Sequence, residues 1–196
     1  SSYLLQCLHH VLAEAGHPAH RKKVLVAAYA CEPNTGSEPG VGWNMCQAIS
    51  RAHDTWVVTR ANNRYEIEKA LSQAPNENLH FAYVDLPRWA RFWKRGGRGI
   101  RTYYYVWQFA AWRAAKRLQH TIQFDIAHHV TFVNDWLFTF IAFLPIPYVW
   151  GPIGSHPKTP SGLTQSFGSF LADRLRYSFQ AFMRVIDPLF WISAVR

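Results

Sequence analysis

Apolar residues recur along the chain in two rhythms. Residues 24–30, VLVAAYA, form a near-continuous apolar run, the mark of a strand buried on both faces of a parallel sheet. Further strands are predicted over 55–60 (TWVVTR), 79–87 (LHFAYVDLP, ended by proline), 124–132 (FDIAHHVTF) and 147–154 (PYVWGPIG). Between them the spacing turns helical. Leu4, Leu5, Leu8, Val11 and Leu12 predict a helix stopped by Gly16 and Pro18. Val41, Met45, Ala48 and Ile49 predict another that ends near His53. Residues 62–74 read as a helix with Asn62 or Asn63 as its N-cap. A long helix over about 102–120, a buried helix over 135–144 and a last helical region over about 169–187, ended by Pro188, complete the pattern. The order βαβαβ–α–βαβ predicts an α/β fold: a Rossmann-like, doubly wound parallel sheet with helices on both faces.

Composition agrees with a chain that folds around a core. Of 196 residues, 49% are hydrophobic and only 17% charged, which excludes a disordered chain. Cys7, Cys31 and Cys46 form no C-x-x-C pair. Neither a disulfide scaffold nor a zinc site is indicated, and a reducing compartment is the expectation. His9, His10, His17 and His20 show no metal-ligand spacing. The longest apolar stretch, 137–150, is too short to span a bilayer and contains Pro145 and Pro147. The chain opens on Ser1 and stops within an apolar run, so it reads as a piece of a longer protein.

In a doubly wound sheet, ligands bind outside the carboxyl ends of the strands. Three exit loops there carry unusual residues. The first, NTGSEPGVGW (34–43), holds Gly36, Gly40 and Gly42 around Glu38. Small residues before a helix start let backbone N–H groups approach an anion; the same glycines also serve a tight turn and close helix packing. Glu38 is electrostatically comfortable near a helix N-terminus. It would repel a bare phosphate, so a sugar hydroxyl is its more natural partner. The second loop follows His128 and His129, which project to opposite strand faces, so at most one faces a cleft. From the residues alone this pair reads as structural, and Asn134 and Asp135 read as caps of the next segment. The third loop is Gly151-Pro152-Ile153-Gly154-Ser155.

The net charge of +9 is unevenly spread. From 86 to 124 there is no Asp or Glu, while nine Lys and Arg fall in that stretch. Such a block faces a polyanion. On a helical wheel of 88–97, Trp89, Phe92 and Trp93 share one face, and Arg88, Arg91 and Arg95 another, with Lys94 between. This is the pattern of a short interfacial helix on anionic lipid. A packed helix with a solvated basic face is the plainer alternative. Single-stranded nucleic acid is a third, without an RNP, KH or zinc signature behind it.

GSEPGVGW after the first strand, FDIAHHVTF and PYVWGPIGS together resemble the amino-terminal half of the family 4 glycosyltransferases, which have the GT-B fold. The resemblance runs from about residue 23 to the end; residues 1–22 form an appendage of unassigned role. Ser155 departs from the further glycine of many relatives. The resemblance implies that 23–196 is a Rossmann-like, acceptor-side domain, one half of a two-domain architecture. The donor half's signature is two glutamates separated by seven residues. No pair among Glu14, Glu32, Glu38, Glu66, Glu68 and Glu77 has that spacing, so the donor domain is expected to be absent and the fragment inactive alone.

By resemblance, Gly36, Gly40 and Gly42 lie beside the donor phosphates and the acceptor, with Glu38 in the same loop. His128 or His129 lies near the transferred sugar, His128 keeping the D-x-x-H spacing from Asp125. Gly151 and Gly154 belong to a substrate-binding loop. The implied reaction is sugar transfer, with retention, from a nucleotide sugar to a lipid-linked or polysaccharide acceptor. It demands neither metal nor cofactor, and a cytoplasmic enzyme would work peripherally at the inner face of a membrane. The main alternative is a non-catalytic membrane- or glycan-binding module. A dinucleotide-binding oxidoreductase is a further one, but the first loop lacks the G-x-G-x-x-G order and the second strand ends in Thr59-Arg60 without an acid for a ribose.

Overall fold

Val24, Leu25, Val26 and Ala27 are all buried, and they form the central strand of the sheet. In the computed structural model, which describes residues 21–87, 90, 99–154, 158–163 and 166–195, strand β1 spans Lys23–Ala27. Helix α1 follows over Ser37–Ala52, then β2 over Asp54–Arg60, α2 over Arg64–Gln73 and β3 over Leu79–Val84. Helix α3 runs over Ile100–Ile122, β4 over Ile126–His129 and β5 over Tyr148–Trp150. Helices α4, Phe167–Ile186, and α5, Pro188–Val195, close the chain. The N-terminal appendage and the basic-aromatic residues Arg88, Trp89, Arg91, Phe92, Trp93, Lys94 and Arg95 lie outside the described residues, apart from Arg21 and Lys22.

The five strands are all parallel, in the order β3-β2-β1-β4-β5. Alternate residues of β1 feed two cores. Val24 and Val26 pack with Cys46 of α1 and Ile67 of α2 on one face. Leu25 and Ala27 pack with Tyr104, Trp107 and Ala111 of α3 and with Phe140 and Ile141 on the other. Helices therefore cover both faces, as the alternation predicts. Among the described residues no helix is long and apolar enough to cross a membrane.

Three local expectations fail for identifiable reasons, and a fourth gains a further helix. The helix predicted over 135–144 is irregular except for one 3-10 turn at Phe140–Phe143. Its backbone groups are satisfied from outside the segment. The buried Gln108 amide donates to the Phe138 carbonyl (2.7 Å) and accepts from the Phe140 N–H (2.9 Å), and the Thr139 N–H donates to Ser193 Oγ (3.1 Å). Buried backbone needs a partner for each group, and here a side chain replaces the helix ladder. Leu144, ahead of Pro145, is extended as that position prefers.

Asn63 occupies the position before α2 but does not cap it. Its amide donates instead to the Tyr29 carbonyl and to Thr59 Oγ1, tying the ends of β1 and β2. Asn134 and Asp135 cap no helix: Asn134 bonds the Phe132 carbonyl, and Asp135 pairs with Arg184. Pro188 ends α4 but also starts α5, whose first turn is capped by Asp187 accepting from the Leu189 N–H (2.9 Å).

Trp107 shows how tightly the α3 face is packed. It is fully buried, meets Tyr29 edge-on at 5.1 Å, and donates its indole N–H to the Val84 carbonyl at 2.9 Å. Trp107→Ala is expected to lower unfolding free energy by about 3–5 kcal/mol. Val106→Ala, on the exposed side of the same helix, should change it by less than about 0.5 kcal/mol. Urea unfolding of both variants checks this; equal effects would contradict the packing.

Candidate functional site

The strand order reverses direction at β1 and β4. The loops leaving these two neighbours part there, the place where doubly wound sheets hold their ligands. After β4, the Val130 N–H still reaches the Ala27 carbonyl (3.0 Å), and Thr131 Oγ1 accepts from the Ala30 N–H (3.1 Å). Beyond that pair the β1 exit turns away through Asn34 (φ 57°) into α1.

Two of the three predicted loop glycines answer an internal need. A methyl group on Gly40 would stand 2.0 Å from the Thr35 carbonyl oxygen. One on Gly42 would stand 2.1 Å from the Ala30 carbonyl oxygen and 3.0 Å from Thr131 Cγ2. These positions let α1 press against the two strand exits. Gly36 has open space where a side chain would be.

Glu38 lies in the first turn of α1, whose N-cap, Gly36, supplies no side-chain cap. The residue is open to solvent, yet its carboxyl is partly withdrawn from water. Burial raises its pKa, and the Phe132 backbone N–H, directed at the carboxyl, opposes the rise. Ser37 and Phe132, on either side of this contact, both have left-handed backbones (φ 57° and 59°). Such conformations are uncommon for non-glycine residues and concentrate where the surrounding structure imposes them.

The two histidines divide as their alternation predicts. His128 is half-buried, and its Nε2–H donates to the Gly151 carbonyl (2.7 Å). Burial lowers its pKa and that carbonyl pulls it back up, which favours the neutral ring with Nδ1 as acceptor. His129 is 1% exposed. Its Nε2 meets the Tyr104 hydroxyl (2.9 Å) and its Nδ1 meets Thr139 Oγ1 (2.6 Å), so both ring nitrogens are engaged internally. Burial pushes its pKa down to about 3. Glu38 lies close enough to raise the pKa of the Tyr104 hydroxyl further, after burial, the larger cause.

The β5 exit joins the β4 exit. The Gly151 N–H donates to the His129 carbonyl (3.1 Å), the Gly154 N–H to the Val133 carbonyl (2.9 Å), and Asn134 bridges Gly154. Gly151 holds a φ of 154°, which favours glycine, and the Gly151–Pro152 peptide is cis. The structure thus gathers Gly36, Glu38, Gly40, Gly42, His128, Gly151 and Gly154 along one edge, Glu38 against the β4 exit and His128 against the β5 exit. His129 supports that edge from inside.

Sequence reasoning missed Tyr104, Thr139 and Phe132. The hydroxyl run Tyr103-Tyr104-Tyr105 inside an apolar helix is a signal for Tyr104, since a buried phenol needs a partner. Among the described residues no group of three His, Cys, Asp or Glu side chains could hold a metal ion. What the fold and this edge define is a Rossmann-like α/β domain. No protein-family model matches the sequence, and no curated protein matches it either.

The depressed histidines fix a pH dependence. The unfolded chain binds protons near pH 6.5 that folded His129 refuses until about pH 3. The contribution of His129 is therefore full above about pH 6.5 and is lost as pH falls from there toward about pH 3, by about 1.4 kcal/mol per pH unit. His129→Gln keeps a donor and an acceptor but cannot titrate. Its urea-derived stability should fall less steeply between pH 6 and 4 than that of the native chain; parallel slopes would contradict a buried neutral His129.

Proposed function

We propose that this chain is the acceptor-side lobe of a retaining glycosyltransferase, acting on a lipid-linked or polysaccharide acceptor at a membrane surface. The observation that carries the reading is the meeting of three strand exits at the switch point, with Glu38 and His128 on one edge. Glu38 would orient the acceptor hydroxyl. His128 would accept a hydrogen bond through Nδ1 from a hydroxyl of the transferred sugar. Open space at Gly36 leaves room for the donor's phosphates near the α1 N-terminus.

In the reaction the bond from the anomeric carbon to the phosphate oxygen breaks, and a bond to the acceptor oxygen forms on the same face. The acceptor proton leaves with the nucleotide diphosphate. Positioning and charge stabilisation dominate such a transfer. The donor would be held mainly by a second domain, and the run of Lys and Arg without Asp or Glu over 86–124 is consistent with work beside anionic lipid.

The test uses the longest natural polypeptide that carries this chain. Transfer of radiolabelled hexose from nucleotide sugar into lipid-extractable or polymeric product should fall at least tenfold in Glu38→Gln and in His128→Ala, with circular dichroism unchanged. Undiminished transfer in both variants would remove the edge from the chemistry. Glycan binding without any transfer by the native protein would favour the binding-module reading.

A further inference from the structure

Helix α3 carries a second feature, away from the strand exits and unused by the reading above. Phe109, Trp112, Arg113, Lys116, Arg117 and His120 follow one another at spacings that keep them on adjoining helical positions. Trp112 forms the common wall of two recesses. One, of about 180 Å³, is lined by Phe109, Trp112, Phe138, Phe140, Phe143 and Leu189. The other, of about 290 Å³, is lined by Trp112 with Arg113, Lys116, Arg117 and His120. An apolar slot and a cationic one therefore abut at a single indole.

Three observations say that this place is not finished by the described residues. The Trp112 indole N–H is buried and has no acceptor among the described residues, although buried donors in folded proteins are almost always paired. Arg113, Lys116 and Arg117 are exposed, and no described carboxylate forms an ion pair with them. Lys116 instead holds its ammonium 5.4 Å above the Trp112 ring. Phe109, at the mouth of the apolar slot, is 46% exposed.

We propose that this pair of recesses binds a single-chain anionic amphiphile: an acyl or isoprenoid chain carrying a phosphate or carboxylate head. The chain fills the slot between α3, the 138–143 segment and α5. The head sits among Arg113, Lys116 and Arg117. A free inorganic anion would leave the aromatic slot empty, and a neutral hydrocarbon would leave the cations unmatched. Only a ligand with both parts complements both recesses. The inference does not depend on sugar transfer.

Calorimetric titration of the 196-residue chain with dodecyl phosphate, below its micelle concentration, tests it. One saturable site is expected. Lys116→Glu with Arg117→Glu, both exposed and safe for the fold, should weaken dodecyl phosphate at least tenfold and leave dodecanol within twofold. Leu189→Trp, which fills the slot, should weaken both ligands at least tenfold. Phe109→Ser, at the exposed mouth, should do so more mildly and serves if Leu189→Trp does not fold. Inorganic phosphate should bind far more weakly than dodecyl phosphate. Equal binding of the two, dodecyl phosphate binding that survives both the charge reversals and the slot mutations, or no saturable binding to the native chain would each overturn the proposal. Binding to anionic vesicles with none to the monomeric amphiphile would overturn it too, since it would move the recognition to a bilayer surface.

Discussion

The carboxyl edge of this domain depends on how closely α1 approaches the ends of β1 and β4. With Gly42 opposite the Ala30 carbonyl and Thr131, the helix packs where any larger residue would hold it off. The Ala30 N–H is then within reach of Thr131 Oγ1, and the two diverging exits are tied before they part. Glu38, one turn earlier in the same helix, meets the Phe132 backbone N–H. The glycine-rich loop thus serves closeness between parts of the same chain first. Whatever it offers a ligand follows from that.

The opposite face of the sheet is organised by buried polar groups within an aromatic core. His129 joins β4 to α3 through Tyr104 and to the irregular 135–144 segment through Thr139. Ser193 of α5 then takes the Thr139 N–H, and Gln108 holds the flanking residues. Networks of this kind rigidify a core when every member is paired and are costly when one is missing. Here they fix an irregular strand-like segment across α3 where a helix would otherwise have to supply its own hydrogen bonds. The same segment lends Phe138, Phe140 and Phe143 to the recess beside Trp112, so the polar network shapes the apolar slot.

Much of the architecture is readable in the residues. β1 is the clearest strand, because a strand buried on both faces is apolar, as Val24–Ala27 are. The helices α1 to α4 follow from their spacing, within a few residues at each end. The 135–144 segment is misread because its apolar residues fit a helix equally well; only Gln108, far away in sequence, tells that the backbone is satisfied otherwise. The separate jobs of the two histidines are half legible. Alternation says that they face opposite ways, but the partners that occupy both nitrogens of His129 come from α3 and a loop that no local pattern links to it. At the glycine loop the residue types are clear, while the target of each close approach is not. Gly40 and Gly42 are matched to carbonyls of their own chain, a fact of tertiary contact alone.

The edge at the switch point and the Trp112 recesses are built by different residues. The most direct measurement is the titration of the Glu38 carboxyl, followed by carbon-detected NMR on selectively labelled chain. Packing against the β4 exit should hold its midpoint above the 4.5 of an unperturbed glutamate. A midpoint at or below that value would mean that the carboxyl stands free in water or is dominated by charge, and that the two exits do not meet around it.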